Sequence, residues 1–175
     1  MKSELKDSNR LHLRAMEPED LDMLYRIEND ADLWDVGVTN VPYSRYLLHE
    51  YISNATGNIY TDGQVRLMIE DNKGRVVGIA DLTDFDGRHC RAQIGIVIEK
   101  PYRGKGYALE TLRQMAAYAQ RVLHLHQLYA CVDANNHIAL SLFQKAGFQQ
   151  TAHLPDWLYD GKEYRPAVVM QYMLT

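Results

Sequence analysis

The stretch Ile94-Gly95-Ile96-Val97-Ile98-Glu99-Lys100-Pro101-Tyr102-Arg103-Gly104-Lys105-Gly106-Tyr107-Ala108 carries the clearest chemistry in the chain. Its first half is apolar and β-branched, the composition of a buried strand. Its second half places glycines at alternate positions and opens onto Ala108, Leu109, Leu112, Met115, Ala116 and Ala119, an apolar stripe at helical spacing. Glycine lets successive backbone N–H groups converge, and the first turn of a helix adds unpaired N–H groups and the positive end of its dipole. Such a loop suits an anion, above all pyrophosphate. The same glycines would also serve a tight strand-to-helix turn on geometry alone. The spacing is neither that of a P-loop nor that of a dinucleotide fingerprint.

A second cluster joins carboxylates to an aromatic ring: Glu28-Asn29-Asp30-Ala31-Asp32-Leu33-Trp34-Asp35. Carboxylates pair with ammonium groups and an aromatic face attracts them, so Glu28, Asp32, Trp34 and Asp35 form a candidate amine subsite; a solvated helix end is the plainer reading. Trp157, Tyr159 and Tyr164 near the C-terminus are candidates for lining an acceptor cleft, or else for packing. His124 and His126 have no Cys, Asp or Glu set at metal-ligand spacing, and no metal is expected.

The elements that must position these residues follow in order. Arg10 to Arg14 alternates polar and apolar like a half-buried strand. Pro18 suits the first position of a helix carrying Leu21, Leu24, Tyr25 and Glu28, and Pro42 that of a second carrying Tyr46, Leu47, Tyr51 and Ile52. Val65–Ile69 and Val76–Leu82 flank the turn residues Asn72-Lys73-Gly74-Arg75, and a further turn through Gly87 leads to Ala92–Ile98. Three neighbouring antiparallel strands are therefore expected. After the helix that begins near Gly106 come a strand at Leu128–Val132, a helix with Ile138, Ala139, Leu142, Phe143 and Ala146, and a closing hairpin turning at Tyr159–Lys162 before a last strand at Ala167–Met170.

With 175 residues, 46% hydrophobic and 24% charged, the chain reads as one globular domain spanning residues 1–175. A net charge of −4 supplies no overall basic field for nucleic acid. No apolar run approaches the ~20 residues of a membrane span, and the N-terminus lacks the apolar core of a signal peptide. Cys90 and Cys131 show none of the spacing of a disulfide scaffold, which points to a reducing cytoplasm.

Two motifs in one order carry a family resemblance. Arg103, Gly106 and Ala108 match Arg/Gln-x-x-Gly-x-Gly/Ala, and about 30 residues later Asn136 and Ala139, then Lys145, Gly147 and Phe148, match Asn-x-x-Ala with a Lys-x-Gly-Phe ending. The chain resembles the GNAT superfamily of acyl-CoA-dependent N-acetyltransferases over nearly its whole length. Within it, His89-Cys90-Arg91-Ala92, Leu125-His126-Gln127-Leu128-Tyr129, Val132-Asp133 and Asp160-Gly161-Lys162-Glu163-Tyr164-Arg165 look most like the spermidine N-acetyltransferases and the related ribosomal-protein N-acetyltransferases.

The resemblance implies an α/β (α+β) fold: a mixed, mostly antiparallel twisted sheet with helices on both faces. It implies acetyl-CoA as co-substrate, with pyrophosphate over Arg103, Gly104, Lys105, Gly106, Tyr107 and Ala108, and with Asn136 and Lys145 also on the cofactor side. The strand Ile96, Val97, Ile98 would splay from its neighbour to receive the pantetheine arm, and a backbone N–H at Ile96 or Val97 would polarise the thioester. The acetyl group would pass directly to a primary amine, with a polyamine such as spermidine as the leading acceptor. A protein N-terminal amine, an aminoglycoside-like amine, and a non-catalytic acyl-CoA-binding module are the alternatives. Self-association is a further implication.

The chain departs from the family in both proton-transfer positions. Gln93 stands where many relatives carry Glu, and an amide is no base; Asp81, or water leading to the Glu28–Asp35 cluster, is the expected replacement. Phe143 stands where a Tyr commonly protonates the leaving thiolate, so Phe143 is expected to pack in the core. Tyr107, Tyr129, Ser141 or solvent would then supply the proton, Tyr107 being the first expectation. A thiol pKa of ~8.5 makes the thiolate a fair leaving group unaided.

Overall fold

A computed structural model describes residues 10–34 and 41–174. One seven-stranded sheet runs through it in the order β1-β2-β3-β4-β5-β7-β6, with β1 Leu11–Ala15, β2 Val65–Asp71, β3 Val76–Asp86, β4 Arg91–Ile98, β5 Gln127–Asp133, β6 Gln149–Tyr159 and β7 Tyr164–Met173. Every neighbouring pair is antiparallel except β4 and β5, which are parallel. That one parallel pair follows from the helix between them, since parallel neighbours need a crossover. The helices are α1 Leu21–Glu28, α2 Ala31–Trp34, α3 Arg45–Asn54, α4 Ile59–Asp62, α5 Tyr107–Arg121 and α6 His137–Lys145.

Alternation along the strands builds two cores. Ala92, Ile94 and Ile98 of β4 and Leu128, Ala130 and Val132 of β5 face Leu112, Met115 and Ala119 of α5 and Phe143 of α6. Met68, Ile79 and Val97 point the other way and pack with Met23 and Ile27 of α1. Helices thus cover both faces, and the side chains of Arg66, Asp81, Gln93 and Gly95 fall on the α1 face by the same alternation.

The second helix differs from expectation. It starts at Arg45, capped by the Ser44 hydroxyl, which accepts from Leu47 N–H; Pro42 lies ahead of it. Leu48 is its buried residue, while Tyr46 and Leu47 are 71% and 47% exposed. The inward face runs through Leu48, Tyr51 and Ile52, an i, i+3, i+4 set, so Tyr51 and Ile52 of the expected stripe lie on it while Tyr46 and Leu47 fall outside it. The short helix α4 also escapes a periodicity argument, because four residues cover barely one turn. No helix among the described residues is long and apolar enough to cross a membrane.

Candidate active site

The parallel pair β4/β5 closes for three rungs only: Arg91 with Gln127, Ala92 with Leu128 and Gln93 with Tyr129. Beyond Gln93 the two strands part. β4 continues to Ile98 against β3, while β5 continues to Asp133 against β7. Backbone direction in the gap follows from the hydrogen bonds at its ends. Glu99 N–H donates to Val77 O on β3, and Cys90 O accepts from His126 N–H at the start of β5. Since successive residues point to opposite edges, odd-numbered Val97 and Gly95 turn to β3 and even-numbered Ile96 turns to the open edge. The free N–H expected at Ile96 or Val97 therefore belongs to Ile96.

The chain leaves β4 through the anion loop. Gly104 and Gly106 have φ of 73° and 85°, left-handed conformations that a side chain would strain. Gly106 is the N-cap of α5 and offers no capping side chain. By contrast Ser44, Asn58 and Asn136 cap α3, α4 and α6 with side-chain oxygens. The first N–H groups of α5 are thus without such an acceptor, and Arg103, Gly104, Lys105 and Gly106 around them are exposed. Arg103 Nε donates to Ile98 O at 2.9 Å, which fixes the loop to the end of β4. Lys105 and Arg75 each lie 5.6 Å from the Tyr102 ring centre. A groove beside α5 is lined by Arg10, Gly106, Tyr107, Leu109, Glu110 and Arg113, which adds two guanidinium groups to the loop's surroundings.

On the α1 face, Arg66, Asp81 and Gly95 lie abreast on β2, β3 and β4. Arg66 grips Asp81 with two hydrogen bonds, Nε to Oδ1 at 2.6 Å and Nη2 to Oδ2 at 2.9 Å, and its Nη1 donates to Glu28 of α1. The guanidinium sits 5.6 Å from the Tyr51 ring centre of α3. Burial would lower the Arg66 pKa, but Asp81 and Glu28 outweigh it and hold it above the ordinary arginine value. Burial likewise raises Tyr51. Arg66 escaped a local reading because its partners lie far from it in sequence.

These contacts redistribute the expected site residues. Both Asp81 oxygens accept from Arg66, so the carboxylate is committed to that bidentate pair. The acidic cluster divides. Glu28 turns inward to Arg66, whereas Asp32 sits on the outside with its carboxylate 2.6 Å from Lys100 Nζ, an ion pair that lowers Asp32 and raises Lys100. Trp34 ends α2; its side chain and Asp35 lie outside the described residues.

Tyr107 occupies the first turn of α5, edge-on to Tyr102 with ring centres 6.4 Å apart. That is the loop end of β4, remote from the last shared rung at Gln93. Tyr129 is the residue at that rung, on the same face as Gln93, with its pKa raised by burial and next by Asp84. The Gln93 amide is half-buried and has no hydrogen-bond partner among the described residues. Phe143 is buried, 5.0 Å from Phe148, which stacks in turn on Tyr172; the packing role expected for it holds. Asn136 caps α6 by accepting from Ala139 N–H at 3.1 Å. Lys145 stands in the last turn of that helix, about 13 Å along its axis from the end next to the parted strands. It complements the helix dipole there. Tyr164 is 65% exposed and pairs with Tyr159 at the tip of the β6/β7 hairpin, without contact to the Arg66 cluster.

Residues 10–149 match the model of the acetyltransferase (GNAT) domain. The chain belongs to the GNAT acetyltransferase family. The activity is N-acetyl transfer with acetyl-CoA as co-substrate. Among curated relatives, the spermidine N(1)-acetyltransferase of Escherichia coli K12 is 28% identical over 93% of this chain and 86% of its own length. That of Vibrio cholerae is 25% identical over 90% of both. A crystal structure of the Vibrio cholerae spermidine N-acetyltransferase with CoA and spermine superposes with a TM-score of 0.83 at 25% identity, covering 94% of this GNAT chain and 96% of that one. A dodecameric structure of the same Vibrio enzyme has a TM-score of 0.80.

Proposed function

We propose that this GNAT enzyme acetylates a primary amine of a polyamine such as spermidine, by direct transfer from acetyl-CoA. One observation carries the reading: the open Ile96 edge of β4 leads through the Lys100–Gly106 loop into a helix whose first N–H groups have no capping side chain. Backbone N–H groups of Gly104 to Ala108, with Arg103 and Lys105 beside them, hold the pyrophosphate. The pantetheine arm then runs back along β4 as an added half-strand. Ile96 N–H donates to the thioester oxygen, an interaction that strengthens as negative charge develops there and that can supply ~3 kcal/mol.

The amine arrives mostly as ammonium, because its pKa lies near the ~10.4 of lysine. Its proton leaves to water at the open end of the parted strands, and the Gln93 amide oxygen accepts an N–H of the nucleophile to orient it. The nitrogen lone pair forms the C–N bond, the cationic nitrogen of the tetrahedral intermediate gives its second proton to the same water, the C–S bond breaks as the carbonyl re-forms, and the thiolate takes a proton from Tyr129, which that water replenishes, or directly from solvent. Asp81 and Glu28 hold the acceptor's positive charge. Polyamine preference is supported by these two carboxylates and by the spermidine-acetylating relatives. A cytoplasmic setting accords with Cys90 and Cys131 both being free thiols. Self-association is proposed on the Vibrio relative alone.

The test is free-thiol release from acetyl-CoA at about pH 8, where more amine is deprotonated, with spermidine as acceptor and a control without amine. Spermidine-dependent release is expected. Acetyl-CoA binding without release on any amine would instead make the chain a binding module.

A further inference from the structure

Two strands that part must each be held from the far side, because facing edges with unpaired N–H and C=O groups are templates for pairing with one another. At the open end of β4, Glu99 N–H donates to Val77 O on β3 at 2.9 Å. The matching end of β5 is Asp133, paired with Ala167 of β7. One residue on, Ala134 N–H donates to Pro166 O at 3.0 Å. Proline has no N–H to return, so the β5/β7 ladder ends on that single bond even though β7 lies inside the sheet.

Arg165, the neighbour of that proline, supplies what the ladder lacks. Its Nη1 lies 3.2 Å from Asp133 Oδ2, and its Nε lies 3.5 Å from Asp160 Oδ2 in the β6/β7 turn. The second contact is one of charge alone, since the buried Nε makes no hydrogen bond among the described residues. Asp160 is itself fixed, its Oδ1 accepting from Lys162 and Glu163 N–H. The other Asp133 oxygen accepts from Asn135 N–H at 2.8 Å, and Asn136 then caps α6. Asp133 is thus the joint at which β5 leaves the sheet, and Arg165 ties it to the hairpin turn on the side away from β4. Side-chain exposures of 10% for Asp133 and 25% for Arg165 mean that water screens the pair only in part.

We propose that Arg165 is a positioning residue for acetyl-CoA: by holding Asp133 toward the β6/β7 turn it keeps β5 off the Ile96 edge of β4, and so keeps open the slot that the pantetheine arm enters. It acts through Asp133 and touches no reacting atom. This role rests on the acetyl-transfer reading above and adds to it a residue on β7, beyond β5 from the open edge of β4.

The experiment compares wild type with Arg165→Met, Arg165→Lys and Asp133→Asn. Asparagine keeps an oxygen for Asn135 N–H and loses only the charge. Each protein is assayed, well below its melting temperature, for Kd by calorimetry with acetyl-CoA and with the phosphoadenosine diphosphate portion of CoA, which lacks the pantetheine arm, and for KM with spermidine at saturating acetyl-CoA. Acetyl-CoA Kd should rise about tenfold in Arg165→Met and in Asp133→Asn. The armless nucleotide should bind every variant as it binds wild type, because the anion loop lies at the start of α5, and spermidine KM should change far less than acetyl-CoA Kd. Arg165→Lys should recover most of the affinity, since an ammonium supplies the charge where no bidentate fork is needed. Combining Arg165→Met with Asp133→Asn should cost no more than either alone. Should methionine prevent folding, Asp133→Asn decides by the same comparison. A lowered melting temperature with unchanged acetyl-CoA Kd would make Arg165 a stabilising residue only and overturn the assignment, as would equal losses for the two nucleotides or a lysine variant no better than methionine. A wild type that binds acetyl-CoA without amine-dependent thiol release would defeat the acetyl-transfer reading instead, and the binding comparison would still decide the slot.

Discussion

Replacing Arg66 with Met removes the guanidinium that Asp81 and Glu28 both bind and leaves its apolar stem in place. Arg66 and Asp81 are each only 18% exposed at the side chain, so Asp81 would remain largely desolvated without the group that holds both its oxygens. Breaking a buried pair from one side costs about 3–5 kcal/mol, and the residual exposure here argues for the lower end, about 3 kcal/mol. For a chain of this length that is a fall of about 6–12 °C in Tm. Thermal melts followed by circular dichroism read it directly. Because the guanidinium stays a cation at any workable pH, the deficit should not be an effect of titrating Arg66, and added salt should change it little. Arg66→Lys should recover less than half, since an ammonium cannot reproduce the bidentate fork. Adding Asp81→Leu to Arg66→Met should restore part of the loss by removing one orphaned charge. Acetyl-CoA Kd should be unaffected, because the cluster lies on the α1 face and the anion loop at the start of α5. A Tm loss below about 3 °C, equivalent to roughly 1 kcal/mol, would refute the argument by showing that water already solvates these carboxylates.

Gly106→Glu should weaken acetyl-CoA by about a hundredfold or more, through loss of two charge-assisted hydrogen bonds and a new negative charge; the backbone strain of about 1–2 kcal/mol leaves the fold standing. Unchanged affinity by calorimetry would remove the pyrophosphate from this loop. Tyr129→Phe should lower kcat about tenfold near neutrality and converge on wild type as pH rises past the thiol pKa of ~8.5, whereas Tyr107→Phe should spare kcat; the opposite order in a pH–rate series would put the acid back at Tyr107. Asp71, held by the Arg75 guanidinium and by turn N–H groups against the opposing effect of burial, has its pKa pulled down to about 2. Its folded value lies below the unfolded ~3.9, so its stabilisation is complete above about pH 4 and is lost as pH falls toward 2. Asp71→Asn should therefore destabilise at neutral pH and flatten the acid limb of a stability–pH curve, and an unchanged limb would contradict this.

Reading the chain alone reached the anion loop because every feature of it is local. A β-branched strand, alternating glycines and an amphipathic helix stand consecutively from Ile94 to Ala119, and backbone N–H convergence needs nothing from elsewhere. The strand order from Val65 to Ile98 was legible for the same reason, since short turns leave antiparallel pairing as the available arrangement. Phe143 was also readable, because a phenyl ring has no proton to give and its spacing places it on a buried helix face. The acidic run from Glu28 to Asp35 does not by itself show that neighbouring carboxylates at a helix end diverge: Glu28 pairs with Arg66 of β2 and Asp32 with Lys100. Only the register of β4 against β5 identifies Tyr129 as the tyrosine at the last closed rung, with Tyr107 at the other end of β4. Lys145 belongs to a family motif, and the length of α6 sets it at the far end of that helix from Asn136.

Local composition therefore determined a strand, a glycine-rich loop and an amphipathic helix in succession, within a mostly antiparallel sheet. Tertiary structure decided which charged side chains meet. Arg66, Asp81, Glu28 and Tyr51 come from β2, β3, α1 and α3. The physical reason is range: hydrogen-bonding and helical periodicity act over a few residues, whereas a shared ion pair is made by register between strands that the sequence keeps far apart.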